Sequence, residues 1–104
     1  MVRCLFFYKG GIPYGFEAKG HANAGPYGSD LVCAAVSAIT IGGINALEGT
    51  DRFQYLLDEG HAKVIYQKEP SLKDIHVLET LECQLESLAE SYPDKVRLER
   101  KKEA

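Results

Sequence analysis

The chain has 104 residues, 45% of them hydrophobic and 26% charged, with a formal charge of −3 at neutral pH. That length accommodates one compact domain with one modest core, and the negative balance excludes a general attraction to phosphate backbones while suiting a cationic peptide. No apolar stretch can span a bilayer, the apolar run from Val2 to Tyr8 is too short for a signal peptide, and Cys4, Cys33 and Cys83 lack the spacing of a disulfide framework. The expectation is a cytoplasmic protein with reduced thiols and no membrane contact.

Val2 to Tyr8 is rich in β-branched and aromatic residues and reads as a strand. Lys9-Gly10-Gly11-Ile12 supplies a turn. From Pro13 to Lys19 a second strand alternates Tyr14, Phe16 and Ala18 with Gly15, Glu17 and Lys19, so one face points inward. His21 follows the strand end. A loop of Asn, Gly, Pro, Tyr and Ser leads to Ser29 or Asp30, either of which can cap a helix by accepting from a first-turn amide. That helix runs from Leu31 to about Leu47, apolar on every side, which predicts burial. Gly42-Gly43 weakens its middle and marks close packing, a dimer contact or a bend. Gly49-Thr50 ends it.

Phe53 to Leu57 and Ala62 to Gln67 form a second hairpin about Glu59-Gly60. Ser71 then caps another helix, with Asp74 in a capping-box-like position three residues on. Ile75, Leu78, Leu81, Leu85, Leu88 and Tyr92 make its apolar stripe, and Glu79, Glu82, Glu86 and Glu90 its polar faces. Pro93 stops it. Val96 and Leu98, alternating with Arg97 and Glu99, predict a short last strand and a charged tail. The order β-β-α-β-β-α-β predicts an α+β fold, a single domain over 1–104 with one buried and one amphipathic helix packed on a largely antiparallel sheet. An apolar helix of this size is hard to cover in so short a chain, which points to a second subunit.

Cys33 falls in the first turn of the first helix, where the macrodipole and nearby amides favour a thiolate. His21 lies twelve positions upstream. A turning loop of that length can fold the imidazole onto the sulfur, giving a Cys/His pair able to take a thiol proton and return it to a leaving amine. The plainer alternatives are a small buried cysteine and a strand-end histidine bonded to backbone. His61, beside the hairpin glycine, is expected to face solvent, and His76 to occupy a polar helix position. The sequence has no Cys-x-x-Cys and no paired histidines at ligand spacing, so no metal and no cofactor are expected. Gly25 and Gly28 lack the lysine and spacing of a phosphate loop; a movable flap over the site is the expectation there. Arg97, Arg100, Lys101 and Lys102 form a basic end, read either as solvated or as an RNA contact.

The run Gly20-His21-Ala22, then Gly28, Asp30, Val32-Cys33 and Val36-Ser37, resembles the signature of the bacterial ribosomal-processing cysteine proteases, the Prp family. The resemblance implies a homodimeric cysteine endopeptidase that removes a short N-terminal extension from large-subunit ribosomal protein twenty-seven, cutting after a paired-aromatic sequence. It makes Cys33 the nucleophile and His21 the general base. Asp30 matches the acidic position of the signature and serves either to orient the site or to cap the helix. Ser37, one turn beyond Cys33, shapes the pocket or packs, and Gly20 and Gly28 are further supporting positions of the site. Tyr14 and Tyr27 are candidates for an aromatic substrate pocket, with Phe16 assigned to the core. Two other functions fit the same residues: a noncatalytic ribosome-associated binding module, and a different thiol hydrolase using the same dyad.

Overall fold

The computed structural model describes residues 1–21 and 30–103. Alternating apolar residues build a five-stranded sheet from β1 (Val2–Lys9), β2 (Ile12–Lys19), β3 (Phe53–Asp58), β4 (His61–Tyr66) and β5 (Val96–Glu103). The strand order is β3-β4-β2-β1-β5. Both hairpins are antiparallel, as is β2 with β4, whereas β1 and β5 run parallel. The last strand is eight residues long rather than short, because pairing with β1 carries it from Val96↔Val2 to Glu103↔Lys9.

Two helices, α1 (Leu31–Ala46) and α2 (Leu72–Ser91), complete the fold. The core joins them to Val2, Cys4 and Phe6 of β1, Phe16 and Ala18 of β2, and Ala62, Val64 and Tyr66 of β4. Phe6 and Phe16 are cross-strand partners whose rings stack at 5.6 Å. Asp30 is the cap of α1, its Oδ1 accepting from the Cys33 amide at 3.0 Å, and Ser71 caps α2. The first helix ends at Ala46 with Leu47 as its C-cap, two residues before the predicted Gly49 stop. Within the chain α1 buries Val32, Val36, Thr40 and Ile44 but leaves Leu31 79% and Ile41 40% exposed. Its apolar residues encircle it, yet one domain covers one side.

Gly43 is where the helices approach, since a Cβ there would stand 2.1 Å from Leu81 Cδ1, and Leu81 is buried. A Cβ on Gly42 would meet nothing within 4 Å. The two glycines therefore respond oppositely to alanine. Gly43→Ala is expected to destabilise by about 1–2 kcal/mol, because overpacking outweighs the gain in helix propensity. Gly42→Ala is expected to stabilise a single subunit by about 0.5–1 kcal/mol, and urea denaturation of both variants at low protein concentration, with subunits apart, measures both signs.

Two carboxylates depart from the surface roles that their positions predict. Glu82 belongs to the expected polar face but is buried, accepting from the Tyr8 hydroxyl and from Arg100 Nε at 2.5 Å. Burial and this bond to Glu82 push the Tyr8 phenol up to about 12. Arg100 also reaches Glu86, so one member of the basic end is committed to tying β5 to α2. Asp74 is fully buried; its amide donates to Ser71 Oγ, but its carboxylate does not complete a capping box. Instead the carboxylate accepts from the amides of Glu48 and Gly49, both at 3.1 Å, and from the Tyr66 hydroxyl at 2.7 Å.

Candidate active site

The end of β2 delivers Gly20 and His21 to one side of a cavity of about 610 Å³, and the start of α1 delivers Asp30, Cys33, Ser37 and Thr40 to the other. Val2, Ala18 and Ala62 contribute from the sheet, and residues 57–61 of the β3–β4 hairpin close a third side. Thus His21, Cys33, Asp30, Ser37 and Gly20 all border one space. Tyr27, Gly28 and the expected flap lie outside the described residues, as does Ser29.

Cys33 is the third residue of α1 and is half-buried. Its amide is held by the Asp30 carboxylate, which fixes the first turn that carries the thiol. The other two thiols differ in surroundings. Cys4 is sealed in the core, and burial pushes it up to about 11, which makes it a poor nucleophile near neutral pH. Cys83 is exposed on α2, away from the cavity lining.

His21 is fixed through its backbone neighbours. Its carbonyl accepts from the Met1 amino group at 2.6 Å, and the preceding Gly20 amide donates to Gly60 O at 2.9 Å. Gly20 has φ +112, and a Cβ there would stand 2.3 Å from Met1 O, so the turn out of β2 needs a residue without a side chain.

His61 departs from its predicted solvent-facing place. Its Nε2 lies 2.5 Å from Glu17 Oε2, the residue is half-buried, and it borders the cavity. The cause is the β2–β4 register, in which His61 stands opposite Lys19 and diagonal to Glu17. Only the pairing of distant strands creates that contact, so no local pattern announced it. The hairpin wall at Leu57, Asp58, Glu59 and Gly60 depends on the same long-range pairing, and the turn glycine is its one local signal.

Tyr14 is not part of this space. It packs against the core near the other end of β2, with Lys9 Nζ 4.9 Å from its ring centre. Six residues of extended chain, roughly 20 Å, separate it from Gly20. Phe16 is fully buried, as a core assignment requires. Among the described residues, no group of three or more His, Cys, Asp or Glu side chains is arranged to hold a metal ion. No described helix is long and apolar enough to cross a membrane.

A thiol at a helix start, an imidazole on the same cavity and a five-stranded mixed sheet can be set beside known proteins. Residues 1–97 match the family described as Cysteine protease Prp. The ribosomal processing cysteine protease Prp of Bacillus subtilis is 34% identical over 91 residues, covering 80% of this chain and 81% of the relative. Its Staphylococcus aureus namesake is 33% identical over 83 residues, covering 76% and 78%. A crystal structure of the S. aureus protease with a covalently linked product peptide superposes with a TM-score of 0.88 at 28% identity, covering 97% of this chain and 100% of that one. The structure of SMU.848 from Streptococcus mutans gives 0.76 at 30% identity, covering 99% and 96%. Fold and relatives together define a cysteine peptidase. The chain belongs to the Prp family of ribosomal processing cysteine proteases.

Proposed function

We propose that this chain cleaves a short N-terminal extension from large-subunit ribosomal protein twenty-seven, after a paired-aromatic sequence, with Cys33 as nucleophile and His21 as general base and acid. The observation that carries this reading is the shared cavity: Cys33 in the first turn of α1 and His21 at the end of β2 border the same space. Solved S. aureus relatives contain a substrate peptide and a covalently linked product peptide, which supports a peptide as the occupant.

In this mechanism His21 takes the Cys33 proton and the thiolate adds to the scissile carbonyl carbon. First-turn amides of α1 face the developing oxyanion. Collapse breaks the C–N bond, His21 returns the proton to the leaving amine, and an acyl-enzyme remains on Cys33. Water deprotonated by His21 then hydrolyses the thioester and restores the thiol. Asp30 holds the helix start that presents Cys33, and Ser37, one turn further, shapes the wall. Incubation of the folded chain with an extended peptide, followed by mass spectrometry, tests the reading: one cut after the aromatic pair is expected, and none by Cys33→Ala.

The same proposal includes a cytoplasmic homodimer that meets its substrate during ribosome assembly. The outer side of α1 supports a second copy, because exposed Ala34, Ala38, Gly42 and Ala46 align at four-residue spacing next to exposed Ile41. Ala38, Gly42 and Ala46 also border a groove between α1 and α2. Light scattering is expected to give twice the 11.5 kDa chain mass, falling toward one chain mass in an Ile41→Glu variant.

A further inference from the structure

We propose that Gly60 is a positioning residue for the imidazole of His21, a role that rests on the reading of His21 as the catalytic base. Gly60 stands against the Nε2 side of the ring: a Cβ built on it would stand 2.7 Å from His21 Nε2 and 2.9 Å from Cε1. Carbon atoms in ordinary contact with a ring stay about 3.5–4 Å away. Any other residue at this position would therefore displace the imidazole by roughly 1 Å or force the turn to move.

The turn is poorly placed to move. Gly60 O accepts the Gly20 amide, His61 is paired with Glu17, and the β2–β4 ladder sets His61 opposite Lys19. These contacts bind the hairpin tip to the end of β2, the segment from which His21 projects. Displacement then falls on the ring, and a dyad tolerates little of it. An error of about 1 Å in the placement of a catalytic group can cost roughly 10²-fold in rate.

Gly60 also has φ +68, a conformation that any substitution strains. The other hairpin supplies the comparison that separates the two effects. Gly10 has φ +55, and a Cβ there would meet nothing within 4 Å. It shares the backbone demand and lacks the imidazole.

The test measures kcat, KM and the pH profile of peptide cleavage for wild type, Gly60→Ala, Gly10→Ala and His21→Ala, together with thermal melting. Gly10→Ala is expected to keep kcat within about twofold of wild type. Gly60→Ala is expected to melt like Gly10→Ala but to lose roughly 10–100-fold in kcat with little change in KM, and to shift the pH profile. Gly60→Asn adds a residue that accepts positive φ more readily, so it should melt closer to wild type and still be slow. A wild-type NOE between the His21 ring and Gly60 Hα is expected, and it is readable even where variants fold poorly. Gly60→Ala matching Gly10→Ala in kcat and pH profile while His21→Ala is inactive would overturn the positioning role alone. Full activity in His21→Ala would overturn the reading of His21 and the proposal with it.

Discussion

Cys33→Ala is expected to leave a folded protein whose cleavage of an extended peptide is reduced by more than about 10³-fold. The fold should survive because alanine is the best helix former and the lost sulfur is only half-buried, in a turn whose amide still binds Asp30. Activity should not survive, because without the thiolate no acyl-enzyme forms. What remains is the binding cavity and the first-turn amides, which can polarise a carbonyl but cannot attack it. His21→Ala is expected to cost a comparable factor, and the double variant little more than either single one, since residues acting as one unit lose their effect together. Initial rates measured on one peptide with all four proteins, alongside thermal melts, check each element. Wild-type rates in Cys33→Ala would end the thiol mechanism.

Asp74→Ala is expected to cause the largest loss of stability, about 2–4 kcal/mol, against roughly 5–15 kcal/mol for a whole domain. Removal of the carboxylate leaves the buried Tyr66 hydroxyl and the part-buried amides of Glu48 and Gly49 without their acceptor. It also releases the segment after α1 from the start of α2. Burial by itself raises the Asp74 carboxyl, but the Tyr66 hydroxyl and the two amides outweigh it and hold the group below the usual carboxylate value. A depressed native value means that the folded state favours the charged form. Its stabilisation is complete above the unfolded carboxyl value of about 4 and disappears as pH falls through the lower native value. Thermal melts between pH 7 and pH 2 should show wild type losing stability in that acid window, and Asp74→Asn, already weaker, losing less of it. Parallel wild-type and Asp74→Asn profiles would refute this assignment.

These two residues also mark what could be read in advance. Cys33, His21, Asp30, Ser37 and Gly20 lie close in sequence around one strand end and one helix start, so their signature is legible as a string, and all five border one cavity. Period-two alternation, turn glycines and the caps at Asp30 and Ser71 likewise disclosed all seven elements. The places of Asp74 and Glu82 are not legible in the sequence, because a carboxylate's partners decide its place. Those partners sit on β4 and after α1 for Asp74, and on β1 and β5 for Glu82. The same holds for His61, whose Glu17 partner depends on the β2–β4 register. Tyr14 is a pocket candidate by residue type alone, and it stands near the end of β2 away from this cavity.

The parallel pairing of β1 with β5 governs how the chain must acquire its structure. β1 is made well before β5, so its outer edge has no native partner until residues 96–103 exist. During synthesis at about 5–20 residues per second, the strand carrying Val2, Cys4 and Phe6 waits several seconds with unpaired amides and carbonyls. Completion of the sheet is therefore a late, long-range event, slower than closure of either local hairpin. A chain interrupted before β5 would present an open apolar strand edge to its neighbours, so aggregation of incomplete chains, rather than gradual loss of activity, is the failure built into this topology.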